Sequence, residues 1–197
     1  FNRKSFTTAH SGFGFPFLTW PDRTDVPRNT ARALRYLDRY VLVSQGEVFY
    51  ATELLAKLEG MERGPAGNTS LAAAIPLAKE LDQDQILVVQ ETEYTAAGKL
   101  PSSQLTFAEE NGIQVRRGDP KGNIPGKVIV IPERTEQMRI EEVSLNKIRE
   151  SYLKNAMEVA KGYKPTEQDI LFLAEDSKSS VEFVRKTLKS FAITESS

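Results

Sequence analysis

The 197-residue chain contains no cysteine and a single histidine, His10. The first absence excludes disulfide scaffolds, thiolate zinc sites and cysteine nucleophiles, and it fits a reducing, cytoplasmic setting. The second leaves too little for a histidine metal cage or a serine–histidine–aspartate triad, so no metal is expected. Neither sign of charge dominates: 26 Lys and Arg face 27 Asp and Glu, a formal net charge of −1. Coating a nucleic acid requires a cationic surplus along the phosphates, so no nucleic-acid partner is expected. No apolar run reaches the length of a membrane span, so no membrane association is expected either. Three motif classes are missing as well: the Gly-x-x-x-x-Gly-Lys-Ser/Thr phosphate loop, the Gly-x-Gly-x-x-Gly dinucleotide loop and the Gly-x-Ser-x-Gly elbow.

What is present reads as one sizeable domain with an appendage. Residues 1–27 are interrupted by Gly12, Gly14, Pro16, Pro21 and Pro27 and carry Phe13, Phe15, Phe17 and Trp20. That pattern reads as irregular chain folded onto the core or onto a partner. A helix is expected from Asp25-Val26-Pro27, with the aspartate as cap and the proline in the first turn. Arg28, Arg32, Arg35 and Arg39 follow at steps of three and four, which puts them on one face. Such a stripe is either a solvated face or a surface for phosphates or an acidic partner.

Residues 40–43, Tyr-Val-Leu-Val, read as a short buried strand leading into Ser44-Gln45-Gly46-Glu47, which has the form of a capping box. The helix after it is expected to bury Val48, Ala51, Leu55 and Leu58 and to stop at Gly60. A second helix follows the small-residue stretch Gly64-Pro65-Ala66-Gly67-Asn68 and is expected to run to Leu81, kinked at Pro76. The small side chains at its start permit close approach of a neighbouring element or of a ligand. Residues 86–90, Ile-Leu-Val-Val-Gln, are apolar on both faces and read as a central, parallel strand. Its polar exit, Glu91-Thr92-Glu93-Tyr94, falls where open α/β sheets bind ligands. Glu91 and Glu93 are either an acid/base or magnesium pair or two solvated glutamates, and Thr92 is either a ligand contact or a turn cap. A helix over 104–111, a turn-rich link over 118–126 and a strand over 127–131 complete the first region, residues 1–143. Residues 144–197 read as a helical tail, with apolar faces Leu145/Ile148/Tyr152/Ala156/Val159 and Val181/Val184/Leu188/Phe191 around a short helix at 170–174. The expected fold class is α/β, a three-layer, mostly parallel sheet flanked by helices with a C-terminal helical tail.

The stretches VLVSQGEVFYATELLAKLEG (41–60), MERGPAGNTSLAAAIPLA (61–78) and ILVVQETEYTAAGK (86–99) resemble the C-terminal part of the fold-type II, tryptophan synthase β-like pyridoxal-phosphate enzymes. This family includes threonine synthase, threonine dehydratases and diaminopropionate ammonia-lyase. In it a Glu-Pro-Ser/Ala-Gly-Ala stretch precedes an alanine-rich helix; Gly64 stands here in the place of the acidic residue. The resemblance implies a pyridoxal 5′-phosphate site to which Gly67, Asn68, Glu91 and Thr92 contribute, with Thr92 meeting the pyridine nitrogen. Together with FNRKSFTTAHSGFGFPFLTWPDRTDVPRN and LTFAEENGIQVRRGDPK, these segments resemble, over residues 1–155, the coenzyme A-dependent thiolase β-subunits of the family. That branch implies coenzyme A as co-substrate, acetyl-CoA and alanine as products of ornithine breakdown, a small α subunit as partner, and an oligomer. It also implies Glu93 and Tyr94 as pocket wall and Arg28, Arg32 and Arg35 as contacts for coenzyme A or the partner.

The family's Schiff-base lysine, in a Ser-x-Lys context, and its glycine-rich phosphate loop both precede these motifs, and neither occurs here. No catalytic residue is therefore assigned within the chain. The chain, which begins at Phe1, is expected to be the C-terminal portion of the subunit, to need its N-terminal half, and to be inactive alone. The alternatives are another enzyme of the same fold, an ammonia-lyase or threonine-synthase-like protein, or a non-catalytic binding module.

Overall fold

The computed structural model describes residues 34–35, 38–65, 67–91, 101–142, 144–160 and 163–194. They fall into two compact units: the described residues of 41–141 form one, and those of 34–40 and 142–194 form the other. The second unit thus takes in a short stretch that precedes the first in sequence.

In chain order the first unit holds β1 (Val41–Leu42), α1 (Gln45–Glu59), α2 (Thr69–Ala78), α3 (Pro101–Glu110), β2 (Gln114–Arg117) and β3 (Val128–Ile131). The capping box forms as the sequence predicts: the Ser44 amide donates to Glu47 Oε2 at 2.7 Å, and the Glu47 amide donates to Ser44 Oγ at 3.3 Å. Gly60 ends α1 in the left-handed region, φ 66°. Between these signals the burial differs from the expected stripe. Residues 46–52 are buried all round the helix, whereas Leu58 is 69% exposed. The first two turns of α1 are sandwiched, residues 53–55 are half-buried with Leu54 against the core, and the last turn, 56–59, is exposed. Gly46 shows how tightly: a Cβ there would sit 1.7 Å from the Val130 carbonyl oxygen of β3. Only glycine lets helix and strand backbones meet at this distance.

β2 and β3 run parallel, with Gln114 opposite Val128 and Arg117 opposite Ile131. The link between them, residues 118–127, folds back along the other edge of β3. There Ile124 and Val128 exchange backbone hydrogen bonds at 2.9 Å, and the Asn123 side chain acts as a surrogate strand for Val130. Its Oδ1 accepts from the Val130 amide at 2.9 Å and its Nδ2 donates to the Val130 carbonyl at 3.2 Å. With both edges filled, Ile129, Val130 and Ile131 are at most 2% exposed. Around them Val48, Phe49, Ala51, Ala72, Ala108, Ile113 and Met138 complete the core.

Several expectations are corrected here. The unit is mixed α/β, but its core sheet is two-stranded and not a broad parallel sheet. β2, which the reading above left unassigned, is polar because it is mostly exposed and buries only part of Val115. The strand expected at 40–43 shrinks to half-buried Val41–Leu42. The helix expected to reach Leu81 ends at Ala78, two residues past Pro76, whose missing amide removes a helical bond in the preceding turn; beyond it the amides of Lys79 and Glu80 donate to the carbonyls three residues back, Pro76 and Leu77. Residues 86–90 form no strand: Ile86 is 88% and Val88 86% exposed. A run apolar on both faces becomes a strand only when neighbours supply both edges, and among the described residues none does.

The second unit contains α4 (Leu145–Val159), α5 (Glu167–Asp176) and α6 (Val181–Thr194). α5 is longer than the helix expected at 170–174, because Thr166 and Asp169 form a capping box three residues upstream. Leu153, Ile170, Leu173, Ala174 and Val184 make its core, with Tyr152, Ala156, Val181, Leu188 and Phe191 packed against it. Of the faces expected for the tail, Tyr152 and Ala156 of the first and all four residues of the second join this core, together with Leu153, which the expected face of α4 omits. Gly162, expected as the stop of α4, lies outside the described residues.

Candidate functional site

The small-residue loop before α2 is buried: Gly64, Pro65, Gly67 and Asn68 are all shielded. Asn68, with no solvent exposure, occupies the N-cap position of α2 without capping it. Its amide is directed sideways instead, Nδ2 donating to Thr52 Oγ1 at 3.0 Å and to the Gly64 carbonyl at 3.4 Å. Thr52 in turn donates to the Val48 carbonyl at 2.8 Å, so α1 fixes the orientation of the Asn68 amide. That orientation leaves Asn68 Oδ1 buried without a hydrogen-bond partner. A buried orphan acceptor costs about 1–3 kcal/mol unless something donates to it.

Two residues further along, Ser70 Oγ donates to the Gln90 carbonyl at 2.7 Å. This bond ties the first turn of α2 to the chain immediately before Glu91. Glu91 repeats the pattern of Asn68: both carboxyl oxygens are buried and neither has a partner. Burial pushes its carboxyl above the ordinary carboxylate range, with the nearby positive charge of Arg63 opposing the shift. A carboxyl that keeps its proton to higher pH offers one donor and one acceptor.

Of the expected cofactor contacts, the structure therefore places Gly67, Asn68 and Glu91 on elements joined by the Ser70–Gln90 bond. Thr92, Glu93 and Tyr94 lie outside the described residues, as do Arg28 and Arg32. Arg35 is described, and its guanidinium faces the second unit's own carboxylates: Nη2 is 3.1 Å from Glu175 Oε1 and 3.7 Å from Asp176 Oδ1. Arg39 is engaged in the same unit, its Nε donating to Glu142 Oε1 at 2.8 Å. Thr52, Arg63 and Ser70, which orient or polarise the site, were not singled out for those roles from sequence. Thr52 was detectable in principle, since a hydroxyl residue four positions after Val48 falls on the buried face of an amphipathic helix.

The donor set can be tested against pyridoxal phosphate. An unpartnered amide oxygen and a carboxyl whose hold on its proton burial strengthens suit the hydrogen-bonding edge of a heteroaromatic ring. They do not suit a phosphate, which requires donors, and the glycine-rich loop that would supply them is absent from the sequence. The described residues thus fit the ring half of such a group.

Buried polar groups thus gather at the N-terminal end of a helix in a mixed α/β unit, and the comparisons with known proteins find relatives named as thiolase β subunits. The chain is 63% identical over 193 residues to the 2-amino-4-ketopentanoate thiolase β subunit of an unknown prokaryotic organism. It is 57% identical over 189 residues to the subunit of the same name from Acetoanaerobium sticklandii. These alignments cover 98% and 96% of this chain but 41% and 40% of the relatives. The chain is homologous to a portion of that subunit, and spans about two fifths of its length. No family model and no solved structure matches it.

Proposed function

We propose that the chain forms the C-terminal portion of the β subunit of a pyridoxal-phosphate-dependent 2-amino-4-ketopentanoate thiolase. The observation that carries this reading is identity of 57–63% over nearly the whole chain to subunits of that name. The reaction joins 2-amino-4-ketopentanoate and coenzyme A to give acetyl-CoA and alanine, a step of ornithine breakdown. The sulfur–carbon bond forms at the C4 ketone, the C3–C4 bond breaks, and C3 takes up a proton. Bound pyridoxal phosphate would supply the electron sink that makes a leaving carbon at C3 accessible.

The chain's own residues would take four roles. Thr92, by family resemblance, would donate a hydrogen bond to the ring nitrogen and leave it largely unprotonated. Asn68 Oδ1 would accept from the bound group and thereby lose its orphan status, while Gly67 lets the loop come close. Glu91 would hold a proton beside the ring, with Glu93 and Tyr94 walling the pocket. Arg28 and Arg32 would face coenzyme A or the α subunit. The Schiff-base lysine and the phosphate loop would come from the rest of the subunit, so the chain alone would not hold the cofactor covalently. Among the described residues no helix is long and apolar enough to cross a membrane.

The test is reconstitution: the chain, the remainder of a β subunit and an α subunit are combined and assayed with 2-amino-4-ketopentanoate and coenzyme A. Acetyl-CoA and alanine in equal amounts are expected. In the same assembly Thr92→Asp should shift the absorbance of the bound cofactor and lower turnover. Release of ammonia without acetyl-CoA would reassign the chain to an ammonia-lyase of the same fold.

A further inference from the structure

The run at 86–89 is held at both ends and unpaired between them. Before it, the Gln85 amide donates to the Asp82 carbonyl at 3.1 Å and the Asp82 amide donates to Gln85 Oε1 at 2.8 Å, closing a turn. After it, the Ser70 hydroxyl fixes the Gln90 carbonyl. Between these anchors residues 86–89 make no backbone hydrogen bond among those of the described residues. The side chains alternate as in an extended strand: Ile86 and Val88 are 88% and 86% exposed, Leu87 39%, and Val89 is half-buried. One face thus rests partly on the first unit while the other meets water. Exposed charge would be the usual protection for such an edge, and the run contains none.

We infer that residues 86–89 are a docking strand for the part of the thiolase β-subunit sequence that this chain does not include. The inference rests on the functional reading above and adds to it the surface through which the two parts join. The occupant is chosen by length and by chemistry. The relatives' sequences extend well beyond the portion matched here, which covers 41% and 40% of them. A strand with aliphatic side chains on both faces needs a neighbour along each edge and apolar cover on its outer face. Hydrogen bonding along the amides that no described residue engages then sets register, and covering Ile86 and Val88 supplies the driving force. The Glu91 carboxyl follows directly on this strand, so seating it also fixes the polar groups of the candidate site.

The experiment mixes this chain with a separately produced polypeptide, the portion of the Acetoanaerobium sticklandii subunit that the chain does not match. A one-to-one complex is expected by light scattering, with the amides of 86–89 becoming protected from hydrogen exchange. Ile86→Asp combined with Val88→Asp should weaken the complex by on the order of a hundredfold, about tenfold for each buried aliphatic side chain. The circular dichroism and thermal midpoint of the chain alone should not change, because both side chains are solvated there. Three results would overturn the inference: unaltered affinity of the double variant, protection that appears elsewhere while 86–89 stay open, or concentration-dependent protection of 86–89 in the lone chain, which would make a second copy the occupant. A complex that forms through 86–89 but yields no thiolase activity once the α subunit is added would sink the functional reading and leave the docking strand standing.

Discussion

Two four-residue runs in this chain, Ile-Leu-Val-Val at 86–89 and Val-Ile-Val-Ile at Val128–Ile131, are nearly interchangeable in composition and meet opposite fates. The second is the core of the first unit because the chain on either side of it supplies both edges. β2 pairs along one, and Asn123 with Ile124 closes the other. The first is bracketed by a turn and by Ser70, and nothing in the described chain lies along it. Apolar, β-branched sequence confers the capacity to be a strand, and the neighbours decide whether that capacity is used. The sharpest way to break the comparison is to truncate one residue in each run. Ile129→Ala, at a site 1% exposed, should cost about 2–5 kcal/mol in urea unfolding of the chain. Ile86→Ala should change it by less than about 0.5 kcal/mol. Comparable losses would show that 86–89 is already packed in this chain, and the contrast would disappear.

A smaller effect sharpens the same comparison from the side of the helix. β3 is buried partly because α1 lies directly on it at Gly46, where a Cβ would overlap the Val130 carbonyl. Gly46→Ala forces the helix off the strand and should cost about 1–3 kcal/mol or more. At Gly60 a Cβ meets nothing within 4 Å, so the only penalty of Gly60→Ala is the left-handed backbone, about 1–2 kcal/mol. Thermal midpoints should therefore fall further for Gly46→Ala, and near-ultraviolet circular dichroism should change only there. If both variants behaved alike, the contact between α1 and β3 would be looser than the coordinates show.

The same contrast explains how much could be read from sequence. Signals that act within a few residues were legible: the Ser44/Glu47 box, the stop at Gly60, the apolar face of α6 and part of that of α4. Each depends on a local hydrogen bond or on helical periodicity, which the chain carries in itself. Positions that depend on distant partners were not. β2 is polar and was passed over, since its strand character comes from β3 and not from its own side chains. The run at 86–89 was read as central because its composition says so, and composition cannot report a missing neighbour. At the candidate site Gly67, Asn68 and Glu91 are named by family resemblance alone. The orphaned Asn68 Oδ1 was not legible, because it follows from Thr52 claiming the other end of the amide.

The second unit offers a finer test, since there a polar group is paired within the unit rather than left open. Tyr152 donates from its phenol to Asp176 Oδ2 at 3.1 Å, in contrast to the unpartnered carboxyl of Glu91. Burial, followed by the negative charge of Asp176 and the hydrogen bond itself, pushes the Tyr152 phenol up to about 12. An unfolded tyrosine releases its proton near pH 10, roughly, so the folded chain holds a proton there that the unfolded chain has lost. The folded value is the higher one, so the stabilisation is complete below about pH 10 and drains away as pH rises through about 12. Unfolding midpoints between these values should fall with rising pH, and Tyr152→Phe should flatten the slope because no proton remains to be lost. An absorbance titration should show one phenol ionising later than the rest, and that late step should vanish in the variant. If the variant instead keeps the full slope and the late step, the proton held at high pH belongs to another group, and the pairing with Asp176 does not shape the titration.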